Sequence, residues 1–226
     1  MPLPFIAIGV GLAAAAAVGS VTSYFLMNRL KEKTFRIAPL GARRTGKTTL
    51  INSWRGTWVE DPDHTHAPRI YEKTKITTNG LSLTFLGLGD LSGEEKAWPQ
   101  WENRVSESRY VLYLVDARLL AGFPMPAERS WHRVEDDAGQ IGKWLSDREA
   151  YLCVLVVTHT DEDPRSAELD EADYAQTIAD QLDPILLRLG GDARVRIVSG
   201  SLKDQESADL LTSKIMEHIV SHEGGL

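Results

Sequence analysis

One cysteine, Cys153, occurs among the 226 residues, so an internal disulfide is excluded. It lies in an apolar run and reads as a small core residue rather than a reactive thiol. Positive charge is also scarce: 25 Lys and Arg stand against 32 Asp and Glu, a formal net charge of −7. All of that charge falls beyond residue 28. An acidic domain lacks the basic surface that displaces counterions from a phosphate backbone, which argues against nucleic acid as a partner. The densest acidic stretch, Asp161 to Asp173, reads as a solvated loop and helix start. His64 and His66 have no second pair of ligands nearby at structural-zinc spacing, so a zinc site is not expected. Internal repeats are absent too.

No charged side chain precedes Arg29, and Phe5 to Met27 is a 23-residue run of apolar or small residues, long enough to cross a bilayer. A cleaved signal peptide is the rival, since Ala13 to Ala17 resembles a cleavage region. Signal peptides begin with a basic segment, however, and Met1-Pro2-Leu3-Pro4 has none. The expectation is a retained transmembrane anchor over residues 1–28 and a basic tether over 29–33. Arg29, Lys31, Lys33 and Arg36 follow the span against a lone Glu32, which places the remaining domain, residues 34–226, on the cytoplasmic side. Gly11, Ala15 and Gly19 share one helical face, a spacing that an Ala-rich span also produces by chance.

Beyond the tether, strand and helix patterns alternate. Ile70 to Thr77 alternates in polarity and runs into Asn79-Gly80, a two-residue hairpin signal, with Leu81 to Leu88 as the second arm. Tyr110 to Val115 and Tyr151 to Val157 are continuous apolar runs, as expected of strands buried on both faces, and Arg194 to Val198 is a shorter last one. Helical patterns cover Glu128–Leu145, Glu171–Leu189 and Ser207–His222. One antiparallel hairpin joined to parallel β–α units predicts a doubly wound α/β fold with a mostly parallel six-stranded sheet.

Gly41-Ala42-Arg43-Arg44-Thr45-Gly46-Lys47-Thr48 matches G-x-x-x-x-G-K-[ST], the phosphate-binding loop. The glycines let the backbone wrap an anion, and successive N–H groups, those of Arg43, Arg44, Thr45 and Thr49 among them, turn toward the α- and β-phosphates. Lys47 neutralises β/γ-phosphate oxygens and the Thr48 hydroxyl coordinates Mg²⁺. Phe35 to Leu40 reads as the strand entering the loop and Thr48 to Trp54 as the helix leaving it, its N-terminal dipole on the phosphates.

Three further motifs follow in order. Asp90-Leu91-Ser92-Gly93 closes the hairpin's second strand: an Asp there can hold Mg²⁺ through water and the Gly can offer its N–H to a γ-phosphate. Thr158-His159-Thr160-Asp161 follows an apolar strand, where a carboxylate can accept from the N1–H and 2-amino group of guanine. Adenine offers neither, and an unpaired buried carboxylate is costly. Ser199-Gly200-Ser201 ends the last strand, where a small-residue turn can bring an N–H to the guanine O6.

Together these motifs resemble the small Ras-like GTPases of the translation-factor-related P-loop class, over Thr34 to about Val220. The resemblance implies GTP/GDP and Mg²⁺ as cofactors, a protein effector that contacts the two switch regions, and a switch threonine closing on the metal. Thr65 is the first candidate for that threonine and Thr57 the alternative. Departures are specific. Thr158 and His159 stand where the usual selector N-K-x-D has Asn and Lys, and Gly200 and Ser201 where Ala and Lys are commonest. Glu94 replaces the water-orienting glutamine, so slow intrinsic hydrolysis is expected. Arg43 or Arg44 can lean over the phosphates as an arginine supplied in cis; solvent-facing arginines are the alternative. Trp54, Trp58, Trp98 and Trp101 flank the two switches, as an exposed docking face or as packing. Two kinds of function stay open: a membrane-anchored GTPase switch, and a nucleotide-loaded scaffold subunit with negligible turnover. An ATP-binding protein is a third.

Overall fold

The computed structural model describes residues 34–59, 69–78, 81–148, 151–191 and 193–224. The anchor and tether expected over 1–33 lie outside them, as do His64, Thr65 and His66. Among the described residues no helix is long and apolar enough to cross a membrane.

The chain begins with β1 (Thr34–Phe35) and β2 (Ile37–Gly41), then α1 (Lys47–Trp54) and the hairpin β3 (Arg69–Thr78) and β4 (Leu81–Asp90). There follow α2 (Trp98–Glu107), β5 (Tyr110–Asp116), α3 (Ala117–Leu120) and α4 (Trp131–Ser146). The rest is β6 (Leu152–Thr158), α5 (Arg165–Glu168), α6 (Glu171–Leu189), β7 (Val195–Ser199) and α7 (Gln205–Gly224).

Arg36 alone interrupts the first strand. Its two pieces face opposite ways: β1 pairs parallel with β4, and β2 pairs parallel with β5. The spatial order is therefore β3, β4, the β1–β2 strand, β5, β6, β7, with only the β3–β4 pair antiparallel. Thr78 pairs with Leu81, and the expected turn at Asn79-Gly80 lies outside the described residues.

The two buried runs explain the layering. Residues of β5 and β6 are buried throughout, and the period of two divides them between faces. Val111, Tyr113, Val115, Cys153, Leu155 and Val157 enter the core under α2, α4 and α6. Tyr110, Leu112, Leu114, Leu152, Val154 and Val156 enter the core under α1 and α7. Cys153 is fully buried, and burial alone pushes its thiol up to about 12.

Helix limits follow local chemistry. Asp170 caps α6 by accepting from the Asp173 N–H at 2.9 Å, and Ser130 caps α4 through Arg133 N–H at 3.3 Å. The α2 helix is absent from the sequence-based expectation. Only Trp101 and Val105 of its ten residues are buried, a stripe too thin to register as a period, and Pro99 sits in its first turn, where proline is tolerated.

Of the two readings of the tryptophans, packing holds for Trp54 and Trp101. Trp54 is buried, stacks on Phe85 at 6.3 Å between ring centroids and donates to Thr212 Oγ1 at 2.9 Å. Trp101 has no exposed surface. Each turns inward because a large apolar ring gains more from the core than from solvent.

Candidate nucleotide site

All the motif residues that the structure describes arrive at one edge, the C-terminal ends of the parallel strands, where ligands of doubly wound sheets bind. Gly41 ends β2, Gly46 directly precedes α1, Asp90 ends β4, Thr158 ends β6 and Ser199 ends β7. Gly46 has φ of 85°, left-handed backbone that its lack of a Cβ permits. Arg44 takes the same region at φ 57° and is exposed.

On the phosphate side the loop is held by its own side chains. Thr45 Oγ1 donates to Ala42 O at 3.0 Å, and Thr49 is buried in the first turn of α1. Lys47 Nζ donates to Gly41 O at 2.8 Å and Ala42 O at 2.7 Å, so the ammonium sits across the mouth of the loop. Burial lowers its pKa to about 8, opposed chiefly by the attraction of Asp90. Thr48 Oγ1 donates to Asp90 Oδ1 at 3.1 Å, and Asp90 is only 1% exposed.

That hydroxyl–carboxylate pair fits Mg²⁺. The ion binds through one or two protein groups and completes its shell with phosphate oxygens and water. The described residues hold no cluster of three or more His, Cys, Asp or Glu side chains suited to a metal, and this site does not need one. Thr57, the alternative switch threonine, donates instead to Asn52 O at 3.3 Å, beside the C-terminal end of α1.

Glu94 is not an isolated negative charge. Lys96 Nζ lies 2.5 Å from it and Arg43 NH1 3.8 Å. Two cations offset its charge, one contributed by the loop itself. Both Glu94 and Arg43 remain about one third exposed, so each ion pair is individually weak.

On the base side, different side chains make the ties. The Thr158 hydroxyl lies 3.1 Å from Thr45 O and 3.2 Å from Val115 O. It thereby fastens the selector to the phosphate loop, the task an asparagine performs in N-K-x-D. Its single hydrogen is directed at these carbonyls, so the neighbouring imidazole must be the donor in the third contact. There His159 Nδ1–H donates to Thr158 Oγ1 at 3.0 Å.

His159 has left-handed backbone, φ 58°. Burial lowers its pKa, with Asp116 opposing, so the ring is held toward its neutral form. Asp161 accepts from Ser201 Oγ, which joins the selector to the turn after β7. Within that turn the Gly200 N–H donates to Val157 O at 3.0 Å. The parallel β6–β7 ladder thus continues through Gly200 and takes up its N–H. The next residue but one, Leu202, packs its side chain over Gly46.

Two groups escape the sequence reading. Asp116, 3% exposed, accepts from Arg118 through the backbone N–H at 3.0 Å, Nε at 2.9 Å and NH2 at 2.6 Å, and Arg118 reaches on to Glu162 at 2.8 Å. This stiffens the loops beside Asp161. Behind the phosphate side, Asp137 of α4 has no exposed surface and accepts from Arg133 Nε and Trp98 Nε1, both at 2.8 Å. Burial pushes the Asp137 carboxyl up, and the bonds from Arg133, Trp98 and Tyr113 oppose the shift. Removing either member of the Arg133–Asp137 pair strands a buried charge, which costs about 3–5 kcal/mol. The i,i+4 spacing is visible in the sequence; its burial is not.

The model of the ADP-ribosylation factor family matches residues 21–184, well over half of the chain. The match starts inside the segment expected as an anchor and ends within α6, before β7 and the turn that follows it. No curated protein matches the sequence. With the phosphate loop, the Thr48–Asp90 pair and the T-H-T-D motif on one edge of its sheet, the chain belongs to the ADP-ribosylation factor family of small Ras-like GTPases.

Proposed function

We propose that the protein is a membrane-anchored switch that binds GTP with Mg²⁺, engages a protein partner in that state and resets by slow hydrolysis. Family membership supports the guanine-nucleotide switch. The observation that carries the nucleotide site is the pairing of Thr48 with Asp90 on one side and Ser201 with Asp161 on the other, joined through Thr158 to Thr45. Lys47 and the loop N–H groups would hold the phosphates, Thr48 and Asp90 the metal, and Asp161 the guanine N1–H and 2-amino group. Mg²⁺, when bound, neutralises charge on the β- and γ-phosphate oxygens. The turn N–H for the guanine O6 would come from Ser199-Gly200-Ser201, with that of Ser201 the candidate because Val157 O takes up that of Gly200.

Val59 and Ile70, 49% and 58% exposed, flank the segment expected to hold the switch threonine Thr65, and supply apolar surface for an effector. The anchor rests on the uncharged run Phe5 to Met27. Calorimetry of the purified protein with GTP, GDP and ATP in Mg²⁺ tests the nucleotide reading: guanine nucleotides should bind and ATP should not. Extraction of the full chain by detergent but not by salt or carbonate tests the anchor, and recovery in the soluble fraction would refute it.

A further inference from the structure

The segment after β4 is fixed from behind before any phosphate reaches it. Trp101, fully buried in α2, donates its indole N–H to Ser92 O at 3.0 Å. A trans peptide directs its carbonyl and its N–H to opposite sides, so the N–H of Gly93, which shares that peptide with Ser92 O, points away from Trp101. Gly93 itself lies against the phosphate loop: a Cβ on it would fall 2.4 Å from Ala42 C and 2.4 Å from Arg43 N. No side chain larger than hydrogen fits there.

The next peptide is held as well. Gly93 O lies 3.5 Å from Arg133 NH2, and the Glu94 N–H donates to Ser92 Oγ at 3.3 Å. Arg133 is only 7% exposed and is fixed in turn by Asp137, which Trp98 also holds. Two consecutive carbonyls of the switch segment are thus met by donors from α2 and α4.

The geometry points to Trp101 and Arg133 as positioning residues that aim the Gly93 N–H at the γ-phosphate. The inference rests on the guanine-nucleotide reading above and adds the device by which the site distinguishes triphosphate from diphosphate. Without the indole donor the Ser92–Gly93 peptide is free to rotate, and the γ-phosphate must order it on binding. The diphosphate, which does not reach Gly93, is indifferent to the change.

The test measures affinity for GDP and for a slowly hydrolysed GTP analogue, with Mg²⁺, in the full chain and in Trp101→Phe, which keeps an aromatic ring but removes the N–H. The analogue should weaken about fivefold, the scale of one neutral hydrogen bond, with GDP affinity unchanged. Arg133→Gln should act in the same direction, and Arg133→Lys should restore part of the loss. Equal weakening toward both nucleotides, or no change toward either, would overturn the positioning role. Wild-type protein that binds neither guanine nucleotide would overturn the underlying reading instead. Where Trp101→Phe or Arg133→Gln folds poorly, Arg133→Lys, which keeps a charge beside Asp137 but loses the planar donor to Gly93 O, decides by the same ratio.

Discussion

The phosphate side and the base side of this site reach similar geometry by different routes. On the phosphate side the residues are those the loop motif requires, and Lys47, Thr48 and Asp90 stand where that motif and D-x-x-G place them. On the base side four of the usual residues are replaced, yet the connections persist: Thr158 ties the T-H-T-D motif to Thr45, and Ser201 ties Asp161 to the last turn. A motif position is defined by the bond it makes, and a shorter hydroxyl can serve where the backbone lies close enough.

Loss of the phosphate side should be the more damaging. Lys47→Ala removes the cation that spans the loop and should reduce GTP affinity at least ~100-fold, read by calorimetry with Mg²⁺. Wild-type-like affinity would refute the phosphate-loop assignment. The base side should give a smaller and more selective effect. Thr158→Val deletes the hydroxyl at nearly constant volume and leaves Thr45 O, Val115 O and His159 Nδ1 without it, so guanine-nucleotide affinity should fall about tenfold. Thr158→Asn should hold affinity near the wild type. If Val is tolerated as well as Asn, the tie to the phosphate loop is not what positions the selector.

A pH series separates the two sides further. Lys47 has its folded-state pKa lowered from 10.5 to about 8, so below pH 8 it is charged before nucleotide arrives. Bound phosphates favour the charged form and raise that pKa. Affinity is then fully present below about pH 8 and declines as pH rises through it, because binding must first take up a proton. The nucleotide-free protein moves the opposite way: from about pH 8 to 10.5 the unfolded chain binds more protons than the folded one, so stability from this group rises with pH. Affinity measured from about pH 7 to 9.5 should fall several-fold; a flat profile would place the Lys47 pKa elsewhere.

The smallest effect belongs to Glu94. With Lys96 at 2.5 Å and Arg43 at 3.8 Å already offsetting its charge, Glu94→Gln should raise single-turnover GTP hydrolysis only a few-fold, less than ~1.4 kcal/mol of barrier. A clear drop would make Glu94 a general base.

Strands buried on both faces are the most legible elements, since Tyr110 to Val115 and Tyr151 to Val157 are apolar at every position or nearly so. The helix Glu171–Leu189 is legible to the residue because Asp170 caps its start and Gly190 follows its end. The α2 helix is hidden because its buried stripe is two residues wide. At the site, the loop motif stands out because its spacing reflects one backbone shape. The engagement of Gly200 with Val157, the hydrogen bonds of Trp98 and Trp101 and the counter-charges around Glu94 leave no such trace. Each depends on which elements meet in space, and nothing in local periodicity records that.

Asp161 is where the account is most exposed. Changing it to Asn leaves an amide N–H₂ facing the donors of guanine, whereas the extra carbonyl of xanthine can accept from it. Competition calorimetry of wild type and Asp161→Asn with GTP, XTP and ATP is the most direct test. GTP should weaken by about 2–3 kcal/mol in the variant, XTP should gain, and ATP should bind neither protein. Equal affinity of the wild type for ATP and GTP, or a variant with unchanged preference, would contradict the assignment of the base side.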